Sequence, residues 1–303
     1  MLIARLVAAF LVMFYILSAP ANADKGRIVA VMSDDLLPYK ELLEGFQSEM
    51  KGYSIKVLQL RSNSEHPELD SEIYDQRPEF ILCAGMRALD HVSAIKGIPK
   101  IYCLVTHAAA LNYQSKTDIA GVCLDILPAS QFKILKTTFP IMKRIGAIYD
   151  PTRNDTFVAE AERNGRLLNL QLVSTPVRSI KEIPGALYEL DKKIDIFWTF
   201  SDRTVFTPET SRYILLHSLR KKIPLIGFSP QFAKAGALMA IYGNYHDMGR
   251  QAALLGKELT ETGKWKVRHI EPRQINIAIN MKVANVMGVS FPESIIMSAN
   301  ETY

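Results

Sequence analysis

The chain has 303 residues, with 36 Lys and Arg against 31 Asp and Glu, six His and three Cys; 48% of the residues are hydrophobic and 22% charged. This is an ordinary globular composition on a chain long enough for about two domains. Its 16 Gly and 15 Pro exclude a collagenous or low-complexity protein, and three cysteines are too few for a disulfide scaffold. A net charge of +5, with no basic run longer than Arg220-Lys221-Lys222, argues against nucleic acid as a partner.

Residues 1–23 read as an export signal. Arg5 precedes an uncharged apolar stretch over 6–17, Pro20 breaks it, and Ala21-Asn22-Ala23 puts small residues where a signal peptidase reads. The stretch is short of the ~20 residues a membrane-spanning helix needs, so the expected product is a soluble periplasmic chain that starts at Asp24. An uncleaved membrane anchor is the other reading.

From residue 27 the chain alternates short Val/Ile-rich runs with amphipathic segments. The pattern predicts strands over 27–32, 54–60, 80–84, 100–105 and 119–124, with helices over 38–50, 68–76 and 86–95 between the first four. Strands apolar on both faces and separated by helices indicate a parallel α/β sheet. Cys83, Cys103 and Cys123 each sit inside one of these runs, in no metal-ligand or Cys-x-x-Cys spacing. Buried free thiols are expected, and an export compartment leaves a disulfide open.

The second half restarts the programme. Residues 145–150 (IGAIYD) echo 28–33 (IVAVMS), 194–201 echo 78–85, and Ile223-Pro224-Leu225-Ile226 echoes Ile98-Pro99-Lys100-Ile101. The three pairs fall in chain order, and the spacing grows only across a longer helix expected over 207–222. Further strands are expected over 236–242 and 274–280, as segments that cross between lobes, with a helix over 245–261 that Gly263 ends. The expected division is a first lobe of 24–125 plus 243–268 and a second of 126–242 plus 269–303.

Two open parallel sheets place a ligand beyond the carboxyl ends of their strands, in the gap between the lobes. The candidate lining is therefore Ser33, Asp34, Gly85, Met86, Thr106 and His107 from the first lobe. The second lobe offers Asp150, Ser201, Asp202, Arg203 and Ser229. Tyr242 could stack on a ligand, Tyr245 less so, and Trp198 reads as core. The histidines form no metal-ligand spacing, so no metal and no cofactor is expected. No nucleophile elbow, zinc-protease or phosphate-loop motif is present, and Asp34-Asp35 is the one adjacent acidic pair at a strand tip, so a hydrolase is disfavoured.

Together, residues 143–151 (KRIGAIYDP), Ser201-Asp202-Arg203-Thr204-Val205, Gly236-Ala237-Leu238, 242–245 (YGNY), 249–253 (GRQAA) and the ending over 277–288 resemble the tryptophan/tyrosine-type substrate-binding proteins of ABC transporters. The resemblance implies a type I periplasmic-binding-protein fold, two lobes that close on a small polar solute, and no catalysis. It implies ABC permease subunits as partners of a monomer. A sensory subunit read by a membrane kinase or cyclase is the alternative. Carried onto this chain, the family's second-lobe loop matches Asn154-Asp155-Thr156, expected just before a helix over 157–168, whose free N–H groups would take a ligand carboxylate. Asp202 matches the acidic residue that would pair with a ligand ammonium, so Asp202→Ala is expected to weaken binding at least tenfold with the fold intact. Arg203 and His107 depart from the family pattern, and with Arg153 they add basic character that leaves room for a more acidic solute.

Overall fold

The computed structural model describes residues 25–60, 68–106 and 112–303; the expected export signal and His107 lie outside them. In chain order the first sheet's units are β1 (Arg27–Met32), α1 (Leu37–Glu49), β2 (Ser54–Gln59), α2 (Leu69–Gln76), β3 (Phe80–Ala84), α3 (Met86–Val92), β4 (Lys100–Val105) and β5 (Ile119–Cys123). After α4 (Pro128–Thr138) come β6 (Arg144–Tyr149), α5 (Pro151–Leu167), β7 (Gln171–Pro176), α6 (Ile183–Leu190), β8 (Ile196–Trp198), α7 (Pro208–Lys221), β9 (Leu225–Gly227), α8 (Pro230–Ala235) and β10 (Met239–Gly243). The chain ends with α9 (Tyr245–Thr262), β11 (His269–Ile270), β12 (Ile275–Ile279), α10 (Met281–Met287), α11 (Glu293–Ser298) and β13 (Glu301–Thr302).

Two sheets result. The six-stranded one runs β11-β5-β4-β3-β1-β2 and the seven-stranded one β13-β12-β10-β9-β8-β6-β7. β1 lies between β2 and β3 as β6 lies between β7 and β8, so each repeated segment occupies the same place in its own sheet. Every residue of β3, β4 and β5 is buried, which continuous apolar runs require when helices cover both faces. All pairings are parallel except β10 with β12. Each sheet has a core on either side. One face of the second is filled by Trp198 among Phe132, Phe157 and Phe200, its indole N–H donating to Gln131 Oε1 at 2.9 Å. Cys83, Cys103 and Cys123 are free, and burial pushes all three thiols up.

The chain crosses between the sheets three times: after β5, between β10 and α9, and between β11 and β12. The last crossing comes after Ile270, because His269 and Ile270 pair with Gly121 and Val122 in the first sheet. β10 and β12, expected to cross, are instead paired strands of the second sheet. α9 belongs to the first lobe, where it lies along α1 at backbone contact. A Cβ on Gly249 would come 1.9 Å from the Leu42 carbonyl oxygen, and one on Gly45 1.9 Å from that of His246. Only glycine allows that approach.

One helix start differs from expectation in a way that matters below. α5 begins at Pro151, not at residue 157, because Asp150 caps it by accepting the Thr152 N–H at 2.9 Å and proline fits the first helical position. Among the described residues, no helix is long and apolar enough to cross a membrane and no grouping of side chains could hold a metal ion.

Candidate functional site

The strand ends of both sheets border one cavity of about 680 Å³. The first lobe lines it with Tyr39 of α1, Met86 and Asp90 of α3, Leu104 and Thr106 at the end of β4, Asn112, and Leu124 after β5. The second lobe supplies Thr152, Arg153 and Asn154 from the first turn of α5, and Ser201, Asp202 and Arg203 from the loop after β8. Of the residues chosen from sequence, Met86, Thr106, Asn154, Ser201, Asp202 and Arg203 are thus brought together.

The others stand behind the wall or away from it. Ser33 is buried and its Oγ accepts the Ala88 N–H at 2.9 Å, which ties β1 to the start of α3. Gly85 has φ +87°, and a Cβ there would fall 2.7 Å from Ser33 Oγ and 2.8 Å from the Tyr39 hydroxyl, so glycine lets this corner close. Asp34 folds its Oδ1 back onto the N–H groups of Asp35 and Leu36. Asp150 sits beneath the first turn of α5, and Asp155 and Thr156 are exposed on the helix outside the cavity lining. Tyr242 donates to Glu301 Oε1 at 2.7 Å and borders a separate cavity of about 200 Å³ with Tyr245 and Pro230. Ser229, the N-cap of α8, lies next to that cavity and outside the first.

Two expectations about chemistry change with this geometry. The first turn of α5 offers a ligand carboxylate no free N–H. Pro151 has none, Thr152 donates to Asp150 Oδ1, and the N–H groups of Arg153 and Asn154 both go to the Asp150 carbonyl. Asp202, 2% exposed, has all its acceptor positions filled. Oδ2 takes the Asp150 N–H and Asn154 Nδ2, each at 2.8 Å, and Oδ1 takes the N–H groups of Thr204 at 2.9 Å and Val205 at 3.1 Å. The Asp202 carboxylate therefore shapes the rim by fastening the β8 loop to α5. Asp150 completes the network: Oδ1 accepts Thr152 Oγ1–H at 2.7 Å and Oδ2 accepts Thr204 Oγ1–H at 2.6 Å. Burial would raise the Asp150 pKa, but the bonds from Thr204 and Thr152 and the Arg153 charge outweigh it and hold the carboxyl below its usual range.

Sequence reasoning missed Tyr39, Asp90, Leu104, Asn112 and Leu124, while Thr152 and Arg153 fall within the 150–156 loop expected to line the cleft. Leu104 is the least guessable, because it takes φ +56° where the β4–β5 register shifts. A left-handed leucine costs about 1–2 kcal/mol, and here it turns the side chain toward the cavity. The early start of α5 had a signal in the sequence, the Asp-Pro pair that opens a helix. Burial, then Asp34, raise the Tyr39 pKa, while Arg203 and Arg87 oppose them, so guanidinium groups of opposite lobes both act on this phenol.

Two α/β lobes with the same strand order, joined by three crossings around a shared cavity, define the architecture of a bilobal solute receptor. The chain belongs to the ABC transporter substrate binding protein family, whose model matches residues 43–303. That family consists of binding proteins, not enzymes, and such proteins are typically extracytoplasmic. No curated protein matches the sequence. Among solved structures, the chain is similar to an ABC domain in complex with L-Trp from Streptococcus pneumoniae, at 19% identity and a TM-score of 0.66, over 92% of this chain and 99% of that one. It is also similar to the ligand-free, open form of a substrate-binding protein with adhesive properties from Clostridium difficile, at 15% identity and a TM-score of 0.72, over 92% and 100%. A periplasmic ribose ABC transporter protein from Conexibacter woesei follows at 14% identity and 0.57, over 93% and 100%. These likenesses establish the type I periplasmic-binding-protein fold.

Proposed function

We propose that this protein is the periplasmic solute-binding subunit of an ABC importer. It takes up a small polar solute, amino-acid-like or a small carboxylate, between its lobes and presents the closed form to a membrane permease. The observation that carries this reading is the cavity of about 680 Å³ bordered by strand ends of both lobes, since a ligand there gains contacts from the second lobe only when the gap narrows. Three chain crossings suit a hinge between rigid bodies. A binding role without catalysis agrees with the second-lobe rim, where the buried carboxylates Asp150 and Asp202 are committed to protein donors.

A thermal-shift screen over amino acids, small carboxylates, sugars and purines tests the reading. A true solute at a hundred times its dissociation constant adds about 2.7 kcal/mol to the stability of the native state, and should shrink the radius of gyration in solution as the lobes close. Absence of any stabilising solute, together with a radius of gyration that no compound changes, would refute it.

A further inference from the structure

The solute's charge can be read from which groups in the cleft already have partners. The acidic side chains do. Asp202 and Asp150 accept the bonds described above, Asp90 accepts the Tyr113 hydroxyl at 2.7 Å, and Asp34 closes its own turn. An incoming ammonium therefore finds the two buried carboxylates of the second-lobe rim already filled, and Asp90 Oδ2 on the first-lobe wall is the acidic oxygen that borders the cavity without a protein donor among the described residues.

The second-lobe cations keep most of their donors open: Arg153 makes one long ion pair, to Asp150. Arg203 borders the cavity, is exposed, and forms no ion pair or hydrogen bond among the described residues. Arg153 borders it too, 61% exposed, its Nε 3.8 Å from Asp150 Oδ2 and so beyond hydrogen-bond reach. From the other lobe, Arg87 is anchored through Nη1 to the Ser33 carbonyl at 3.1 Å, and it acts with Arg203 on the Tyr39 phenol. A guanidinium carries five N–H donors and no acceptor, in a fork that fits carboxylate or phosphate oxygens.

We infer that the solute bound in this cleft is a small dianion, bearing two carboxylate or phosphate-type groups, with Arg203 and Arg153 as its second-lobe partners. The inference rests on the solute-binding reading above and narrows it. A neutral amino acid has one carboxylate for two guanidinium groups, and on the second-lobe side its ammonium would have to displace a donor from Asp202. A dianion matches both cations and leaves the four bonds to Asp202 in place, at the cost of the long Arg153–Asp150 pair. Closure then withdraws the pairs from water and strengthens them.

The test is calorimetry at low ionic strength on the mature protein with succinate, glycerol 3-phosphate, L-tryptophan and putrescine, repeated with Arg203→Gln and Arg153→Gln. The expected result is that succinate or glycerol 3-phosphate binds more tightly than tryptophan or putrescine, the two dianions separating a carboxylate from a phosphate preference. Arg203→Gln should lower dianion affinity at least tenfold and leave the ligand-free melting temperature unchanged, because the side chain holds no part of the fold. Binding of tryptophan or putrescine in preference to both dianions would overturn the dianion assignment and leave the receptor reading standing. So would dianion affinity unaltered in both variants. If no compound of this panel or of the wider solute screen stabilises the protein, the receptor reading fails, and the charge assignment with it.

Discussion

Replacing Asp202 with alanine removes one acceptor group from four donors at once. The carboxylate is 2% exposed and bonds the N–H groups of Asp150, Thr204 and Val205 and the amide of Asn154, at 2.8 to 3.1 Å. A hydrogen bond to a charged group contributes about 1.5–3 kcal/mol, but the four are not additive, since a released loop can turn some donors to water. The expected loss is about 3–5 kcal/mol, much of the 5–15 kcal/mol that holds a typical domain together. Asp202→Asn keeps one acceptor oxygen and turns an NH₂ toward the other donor pair, for an expected loss of about 2–3 kcal/mol. Urea unfolding should rank the midpoints as parent, then Asn, then Ala, with the dependence on urea unchanged. The reasoning fails if the Ala variant unfolds at the parent midpoint while solute affinity falls tenfold or more. That pattern would mean the carboxylate meets the solute and not the loop.

Three further outcomes follow from the packing. Gly249→Ala should destabilise the protein by about 2–3 kcal/mol in urea, because a Cβ 1.9 Å from the Leu42 carbonyl oxygen must push α9 off α1; a parent-like midpoint would refute the close approach. Asp150 has its folded pKa held below the unfolded value, so its network adds stability that is fully present above about pH 4 and is lost as pH falls through the folded pKa. Asp150→Asn should flatten that acid limb of the stability curve, and an unchanged limb would remove Asp150 as its source. Lys100 is fully buried, its ammonium donating to the Ile95 carbonyl and, at 2.8 Å, to Asp118 Oδ2. Lys100→Met should stay within about 1 kcal/mol of the parent, while Lys100→Ala loses about 3 kcal/mol to the cavity it leaves; equal losses would contradict a packing role for the stem.

The strands were the legible part of this protein. The ends of β1, β3 and β4 could be read directly, because a strand covered on both faces must be apolar at every position, and a charge or proline marks where the cover stops. The repeat was legible for the same reason, since the echoing residues are those whose neighbours on both sides are fixed by the sheet. Short helices such as α8 and α11 carry too few turns to show a period. The α5 start is hidden in sequence because residues 150–156, polar and opening on Asp-Pro, read equally well as a loop before a helix at 157. The role of Asp202 is a different kind of gap. A carboxylate at a strand tip has the same chemistry whether its partner is a ligand ammonium or four backbone and amide donors, and only the folded loop decides. Leu104 leaves no trace in sequence at all, because nothing about leucine announces a left-handed backbone.

The seating of α9 against α1 bears on how the protein is made. The first lobe is begun by the earliest residues of the described chain but lacks one wall until α9 and the edge strand β11 arrive, after the whole β6–β10 block has been synthesised. A nascent chain stopped short of that point would leave uncovered the flank of α1 at Leu42, Gly45 and Phe46 that α9 packs against. This ordering is a built-in delay: the last segments to emerge are the ones that lock the first in place.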